Sequence, residues 1–234
     1  MNMDTLSWKK LNKAVKFLYT RKKFYNQYLY KIEIYAPACR LAVDERESVE
    51  YMLARRKIWS TRSSNQFQSE MSNSGNQGQL EYLRYIKKVY KDVIKVRVEE
   101  PYISFYSNDE SVLYDIARQD PLRRVYSICG PKNDQAEKVL EKGEIIASKH
   151  AKYQYKILLR YAKVPINTKI QILDYLDSLG DVVKITPSCR RFLASQHAYW
   201  SSYFYCNDPS LVTFISLISP DIISGIYTIT KIDQ

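Results

Sequence analysis

The residues best suited to chemistry in this chain are lysines, arginines and tyrosines that alternate with aliphatic residues in short segments. Successive side chains of a β-strand point to opposite faces, so such a segment buries its aliphatic residues and projects cations and tyrosines together. Cations neutralise phosphates, and aromatic rings stack on unpaired bases. The pattern predicts a nucleic-acid-binding surface. Its candidate residues are Lys31, Lys95, Arg97, Tyr102, Tyr106, Lys156, Arg160, Lys184, Tyr203 and Tyr205.

The composition favours a polyanionic partner. The 234 residues include 36 Lys plus Arg against 25 Asp plus Glu, which gives a net charge of +11. An excess of this size attracts nucleic acid, although it also serves solubility alone. Tyrosine is abundant at 21 residues, whereas the 6 glycines argue against glycine-rich phosphate loops. We expect an intracellular, cytoplasmic protein with no membrane contact, since no signal peptide or membrane span is recognisable.

Residues that would indicate catalysis or metal binding are sparse. The four cysteines lie far apart, which predicts free and mostly buried thiols rather than a zinc or redox motif. Asp109 and Asp208 each precede a predicted helix, where an acid ordinarily caps the helix. We therefore expect no enzyme activity, no metal and no cofactor. One alternative stays open, a metal-independent endoribonuclease that uses His197 or His150.

An internal repeat organises the predicted elements. Three pairs of segments match in the same order: 28–32 with 153–157, 105–111 with 204–210, and 125–128 with 226–229. Each half runs strand–helix–strand–strand–helix–strand, which is the ferredoxin-like plan. The sequence therefore predicts an α+β fold of two tandem ferredoxin-like (βαββαβ) halves from an internal duplication, with an N-terminal basic helix.

The predicted boundaries follow from the periodicity of apolar residues and from turn signals. Residues 1–27 hold the N-terminal basic helix, with its helical pattern over 6–24. Its apolar stripe of Trp8, Leu11, Val15 and Leu18 is expected to dock on the body of the protein. The first half spans 28–131 and carries an insertion at about 40–79, in which we predict a helix over 44–58 and a polar loop over 60–79. A linker over 132–152, with a short helix over 134–142, leads to the second half, 153–234. In this half we predict a helix that Asn167 caps and a strand over 182–186 that Pro187 ends.

The predicted sheets leave one face of each half without helices, and this face carries the cations and tyrosines. The arrangement resembles the way in which RNA recognition motif domains use their sheet, although the glycine–aromatic consensus of that family's third strand is absent. We expect a non-catalytic protein that binds single-stranded nucleic acid, with RNA preferred, and the composition is typical of a viral or mobile-element product. Alternatively the tyrosine-rich faces mediate self-association or bind a partner protein, as in a structural or assembly subunit of a virion or replication complex.

Overall fold

The chain is a mixed α+β protein whose described strands form two sheets of five strands each. The structure, a computed structural model, describes residues 5–36, 74–99, 101–120, 124–147, 151–160, 164–196 and 200–232, with the side chains of 74–81 set aside. Two compact units divide the chain, Met1–Glu137 and Lys138–Gln234. None of the helices in the described ranges has the length and hydropathy needed to cross a membrane.

The first unit builds its sheet in the order β1-β5-β2-β4-β3. Its elements are α1 (Thr5–Leu11), β1 (Lys16–Tyr19), β2 (Tyr30–Tyr35), α2 (Ser74–Val89), β3 (Lys95–Glu99), β4 (Tyr102–Ser107), α3 (Glu110–Gln119) and β5 (Val125–Gly130), and α4 (Asp134–Glu141) crosses into the second unit. β1 is parallel to β5, and the other neighbouring strands are antiparallel. Ile32, Ile34 and Phe105 point inward and are at most 1% exposed, so one face of the sheet forms the core.

The second unit has the strand order β6-β10-β7-β9-β8. Its elements are β6 (Ile145–Ile146), β7 (Tyr155–Leu159), α5 (Ile166–Ser178), a 3₁₀ turn (Gly180–Val182), β8 (Val183–Ile185), α6 (Pro187–Leu193), β9 (Ser202–Cys206), α7 (Leu211–Ile218) and β10 (Ile223–Thr230). The first strand, β6, is again parallel to the last one. Ile157, Phe204, Ile172 and Phe192 are fully buried in the core between the sheet and its helices.

Two of the three repeated segments occupy matching positions in the two sheets. Ile32 pairs with Phe105 across the strands, and Ile157 pairs with Phe204 in the same way. Below these pairs the Asn108 side chain accepts a hydrogen bond from the Leu29 backbone at 3.1 Å. Asn207 accepts one from the Gln154 backbone at 3.2 Å. The shared Asn therefore makes the same link in each unit. It joins the end of β4 to the start of β2 in the first unit, and the end of β9 to the start of β7 in the second.

The third repeated segment is out of register. Ile128 pairs with Ile32, and Ile226 pairs with Ile157, so Ile128 corresponds to Ile226 and not to Ile229. In both units the pairing shifts near the start of the last strand, as a β-bulge produces. The sequence match between 125–128 and 226–229 therefore pairs residues that do not occupy equivalent positions in the two sheets.

The N-terminal segment differs from the predicted long helix over 6–24. The helix ends at Leu11, and Lys16–Tyr19 forms β1 on the edge of the sheet. Asn12 ends the helix, because its side chain donates to the Val125 carbonyl at 2.8 Å and accepts from the Ala14 backbone at 2.9 Å. Such local side-chain bonds compete with helical ones. The predicted docking of the apolar stripe is correct for Trp8, which is 1% exposed.

Two segments, one predicted as a polar loop and one as a short helical linker, contribute more regular structure than expected. The predicted polar loop over 60–79 is wrong from Ser74 onward, where α2 begins. Once a helix is nucleated, extending it costs little, so a polar turn is added in spite of its composition. The predicted linker over 132–152 contains α4 and also β6, which pairs with β10. The predicted helix over 44–58 lies outside the described residues.

Helix starts in the second unit also differ from expectation. Pro187 was predicted to end a strand, yet it begins α6, and the Thr186 hydroxyl caps this helix by accepting from the Cys189 backbone at 3.2 Å. The expected caps at Asn167 and Asp208 are wrong, since Pro165 and Ser210 occupy those cap positions without side-chain bonds.

Candidate nucleic-acid interface

The predicted alternation of side-chain direction is confirmed on the central strands. Ile32, Ile34, Ile157 and Phe204 are fully buried in their respective cores. The candidate cations and tyrosines are offset by one residue from these inward positions and lie on the opposite face, as the strand pairings require. We call this opposite face the outer face of each sheet.

A row of lysine, tyrosine and lysine crosses each outer face at the same place. In the first sheet Tyr106 of β4 pairs with Lys31 of β2 on one side and with Lys95 of β3 on the other. In the second sheet Tyr205 pairs with Lys156 and Lys184. Equivalent strands supply equivalent residues, so the rows follow directly from the shared pairing of the two sheets.

The row of the second sheet belongs to a cluster of three tyrosine rings. The ring of Tyr205 stacks with that of Tyr153 at a centroid distance of 6.3 Å and an interplanar angle of 22°. It meets the ring of Tyr203 edge-on at 5.5 Å. The Lys156 ammonium lies 3.9 Å from the centroid of the Tyr203 ring, within cation–π range. Burial, followed by the neighbouring Tyr203, raises the pKa of Tyr205, so its phenol stays neutral at physiological pH.

The described strands of the second sheet carry cations but no carboxylates. Strand β7 contributes Lys156, and β8 contributes the exposed Lys184. Arg160, a further candidate, lies just after β7. Its guanidinium forms an ion pair with Asp221 at 3.2 Å and donates to the Asp221 carbonyl at 2.7 Å. A nearby carboxylate therefore offsets the charge of Arg160, but not that of Lys184.

The first sheet pairs two of its three candidate cations with acids on the same face. The Lys31 ammonium contacts Glu33 at 2.5 Å, and Arg97 contacts Glu99 at 2.8 Å. Burial opposes ionisation of Glu33, but hydrogen bonds from Lys31 and Ser127 outweigh it and lower the pKa of that carboxyl. Local carboxylates thus reduce the attraction of this face for phosphate.

The expectation that Tyr106 projects from an uncovered surface is wrong. Tyr106 points to the outer face, but it is 4% exposed. Three aromatic rings of the turn between β1 and β2 cover it. Their centroids lie 5.5 Å (Phe24), 5.1 Å (Tyr25) and 6.4 Å (Tyr28) from that of Tyr106. Strand parity fixes the direction of a side chain, whereas this cover comes from a turn between β1 and β2 that parity does not describe. We call residues 24–28 the aromatic turn.

The open part of the first outer face carries a different row of rings. Tyr102 packs against Tyr35 at 5.8 Å and against Tyr126 at 4.9 Å. The Lys16 ammonium donates to the Tyr126 hydroxyl at 2.6 Å and lies 4.4 Å from the centroid of its ring. Of the first-sheet candidate tyrosines, Tyr102 is therefore the one placed where a base can reach it.

Sequence reasoning missed several residues of these faces. Tyr28 and Tyr153 begin the first repeated segment, and each ring packs against the outward tyrosine of its unit. Their shared position was a usable signal. Lys16 and Tyr126 gave no comparable signal, because β1 was predicted as helix and Tyr126 lies at the irregular pairing of β5.

Groups with catalytic potential form no site in the part of the chain that the structure describes. His150 and His197, the candidates for ribonuclease chemistry, lie outside the described residues. No group of three or more His, Cys, Asp or Glu that could hold a metal occurs in the described ranges. Burial raises the pKa of Cys129 to about 11, of Cys189 to about 12 and of Cys206 to about 11. These free thiols are therefore protonated and unreactive near neutral pH.

Comparison of the chain with models of protein families, with curated proteins and with solved structures finds no match.

Proposed function

We propose that this protein binds single-stranded nucleic acid, preferentially RNA, without catalysis, and that the outer face of the second sheet is its principal binding surface. The observation that carries the proposal is the Lys156–Tyr205–Lys184 row on strands without carboxylates. Lysines neutralise phosphates, while the neighbouring rings offer stacking surfaces for unpaired bases. Tyr102 on the first sheet offers a separate stacking surface within its own unit.

The spacing of the row supports a single-stranded ligand. Neighbouring strands lie about 4.8 Å apart, so two lysines on either side of a tyrosine strand span about 10 Å. This arrangement provides two cationic contacts flanking one aromatic surface. Bases within a duplex are stacked on each other and cannot reach a ring on a flat sheet, whereas unpaired bases can be splayed onto it.

We further propose that the two units are ferredoxin-like halves of one internal duplication. In each unit the last four strands follow the order fourth, first, third, second, which the ferredoxin-like plan requires. The recurring Asn links and the recurring irregularity in the last strand support a common origin. The repeat then includes the parallel edge strand before each half, and α6 is an addition to the second half.

A salt series on labelled single-stranded RNA and DNA tests the proposed function. For single strands, each phosphate contact that is removed lowers the slope of log affinity against log salt by about 0.7. We expect this reduction for Lys184→Ala and for Lys156→Ala, with no change for Lys142→Ala, an exposed lysine that belongs to no strand of either sheet. Tyr205→Ala should weaken binding by ~1–3 kcal/mol, while Tyr205→Phe keeps the ring and most of the affinity.

The alternatives give different results in the same assay. An endoribonuclease would cleave the RNA without metal, and His197→Ala or His150→Ala would abolish cleavage. An assembly subunit would form oligomers in the absence of nucleic acid and would be indifferent to Lys184→Ala. If wild-type protein binds, but Lys184→Ala, Lys156→Ala and Lys142→Ala all have the same salt slope as wild type, the proposed surface is overturned.

A further inference from the structure

The aromatic turn holds Tyr25 in a position that a ligand ring would occupy. The Tyr25 ring contacts the Tyr106 ring edge-on, with centroids 5.1 Å apart and an interplanar angle of 84°. The Lys95 ammonium lies 3.9 Å from the centroid of the Tyr25 ring. Arg97 donates a hydrogen bond of 3.1 Å to the Tyr25 hydroxyl. An aromatic group with an oxygen acceptor at its edge therefore sits on the outward tyrosine between two cations.

The matching place on the second sheet lacks such tight cover. Tyr205 corresponds to Tyr106 in the strand pairing, and Lys184 corresponds to Lys95. Tyr205 is half-buried, whereas Tyr106 is 4% exposed. The two sheets thus present the same lysine–tyrosine row: Tyr205 stays half-exposed beside Tyr153 and Tyr203, whereas the aromatic turn covers Tyr106.

The backbone of the aromatic turn is unfavourable where it presents Tyr25. Tyr25 and Asn26 have φ values of 54° and 59°, and no other non-glycine residue of the described chain has a positive φ. Asn tolerates this left-handed region, but a bulky residue such as Tyr is rare there. The turn is held at its base by reciprocal backbone hydrogen bonds between Phe24 and Tyr28, at 2.8 and 2.9 Å. Strain of this kind persists where the surrounding contacts compensate for it, and ligand-binding segments are a common setting.

We propose that Tyr25 takes the place of a nucleobase, and that Tyr106, Lys95 and Arg97 form a second site for single-stranded nucleic acid that opens when the aromatic turn is displaced. The identity of the ligand rests on the proposed function. The contacts of Tyr25 define the site further: the Lys95 ammonium lies against the face of the ring, and its edge oxygen accepts from Arg97. Uracil, cytosine and guanine carry an exocyclic carbonyl that accepts in this way, while adenine has none.

Removal of the Tyr25 ring tests this inference. Binding of a fluorescent oligo(U) strand is measured across a salt series for wild-type protein, Tyr25→Ala and the matched control Tyr85→Ala, which removes an exposed tyrosine on α2. We expect Tyr25→Ala to bind roughly tenfold more tightly, since one more base stacks, and to show a salt slope steeper by about 0.7 for each phosphate gained. Tyr25→Ala combined with Lys95→Ala should lose the gain. Photo-crosslinks from a 4-thiouridine strand should reach Tyr106 in wild-type protein and more strongly in Tyr25→Ala.

The outcomes separate this inference from the proposed function. Wild-type binding that depends on Lys184, together with a folded Tyr25→Ala that binds no more tightly than Tyr85→Ala, keeps the proposed function and overturns the second site. Absence of binding by every variant, including wild type, overturns both. If Tyr25→Ala does not fold, Tyr25→Phe replaces it, because it keeps the ring and loses only the bond from Arg97. That variant should bind more tightly than Tyr85→Phe by a smaller factor, and equal binding would overturn the second site.

Discussion

At the scale of single residues, Tyr30 couples the fold to pH. Its side chain is 3% exposed, and its hydroxyl donates to Glu137 at 3.0 Å. Burial, followed by the bond to Glu137, raises the pKa of this phenol well above its ordinary value near 10. The folded protein therefore keeps a proton that the unfolded chain loses above pH 10. The stabilisation is complete below that pH and is lost as the pH rises further.

The Tyr30→Phe variant should separate the contribution of the hydrogen bond to Glu137 from that of the ionisation of the phenol. At neutral pH the loss of the bond to Glu137 lowers the free energy of unfolding by ~1 kcal/mol. Between about pH 9 and pH 11 this variant should lose less stability than wild type, since phenylalanine does not ionise in either state. Urea unfolding at several pH values measures both, and Tyr85→Phe, which alters an exposed phenol, is the control. Parallel pH profiles of wild type and Tyr30→Phe would show that Tyr30 does not cause the alkaline loss.

Sequence reasoning at the residue scale correctly predicted direction but not accessibility. The alternation in β2 and β7 placed Lys31 and Lys156 on the outer faces, because the pleat of a strand leaves no other choice. Whether a side chain on that face is accessible depends on the segments that cover it. Such segments are distant in the fold or too short to show a periodicity. Glu33 and Glu99 illustrate the same limit, since both were visible in the sequence, but their pairing with Lys31 and Arg97 depends on side-chain geometry.

At the scale of elements, two Asn-Asp segments look alike in sequence but differ in how they begin a helix. Asp109 is the N-cap of α3, and its carboxylate accepts from the Ser111 backbone at 2.8 Å. Asp208 makes the same bond to Ser210 at 2.8 Å, but α7 begins only at Leu211, beyond that turn. The first carboxylate therefore satisfies a helix N–H group, whereas the second one stabilises a turn.

This difference predicts unequal effects of the same substitution. Asp109→Ala should lower the free energy of unfolding by ~1 kcal/mol. Asp109→Asn should retain most of the wild-type stability, because asparagine caps nearly as well as aspartate. Asp208→Ala is the matched control and should cost less than Asp109→Ala. Urea unfolding of the three variants at one pH measures the order. A larger loss for Asp208→Ala than for Asp109→Ala would contradict the assignment of the cap.

Elements with a clear period were predictable, and elements without one were not. The segment over 102–107 was predicted as a strand and is β4, since its alternation and flanking turn residues agree. Strand β6 has two residues and α6 has seven, so neither is long enough to show a period. For α6 one usable signal existed: Thr186 followed by Pro187 is a typical cap and first-turn pair.

At the scale of the whole molecule, the similarity between the two units was visible in the sequence where matched residues have matching partners in the two sheets. The segments around Ile32 and Phe105 kept their residues because both strands pair at the centre of the sheet, with matching partners in the second unit. The last strand of each unit pairs irregularly near its start, and its residues are less constrained there. The sequence match between 125–128 and 226–229 therefore does not follow the strand pairing. Edge strands such as β1 and β6 share a position but not a sequence, because they make fewer contacts that would constrain them.

The net charge of +11 is a property of the whole chain, but the structure distributes it unevenly between the two sheets. If binding depended on net charge alone, every neutralised carboxylate would strengthen it equally. If it depends on the outer faces, Glu99 is special, because it pairs with Arg97 at 2.8 Å. Glu99→Gln frees that guanidinium for phosphate, while Glu141→Gln, on α4, changes the net charge by the same amount.

We therefore expect Glu99→Gln to bind single-stranded RNA severalfold more tightly than wild type, with a salt slope steeper by about 0.7 for one added phosphate contact. Glu141→Gln should leave the slope unchanged. Fluorescence anisotropy across a salt series measures both constants in one experiment. Equal gains from the two substitutions would mean that the charge of the whole molecule, and not its arrangement on the sheets, attracts the ligand. A gain confined to Glu99→Gln assigns the attraction to the outer face, where the lost carboxylate releases Arg97.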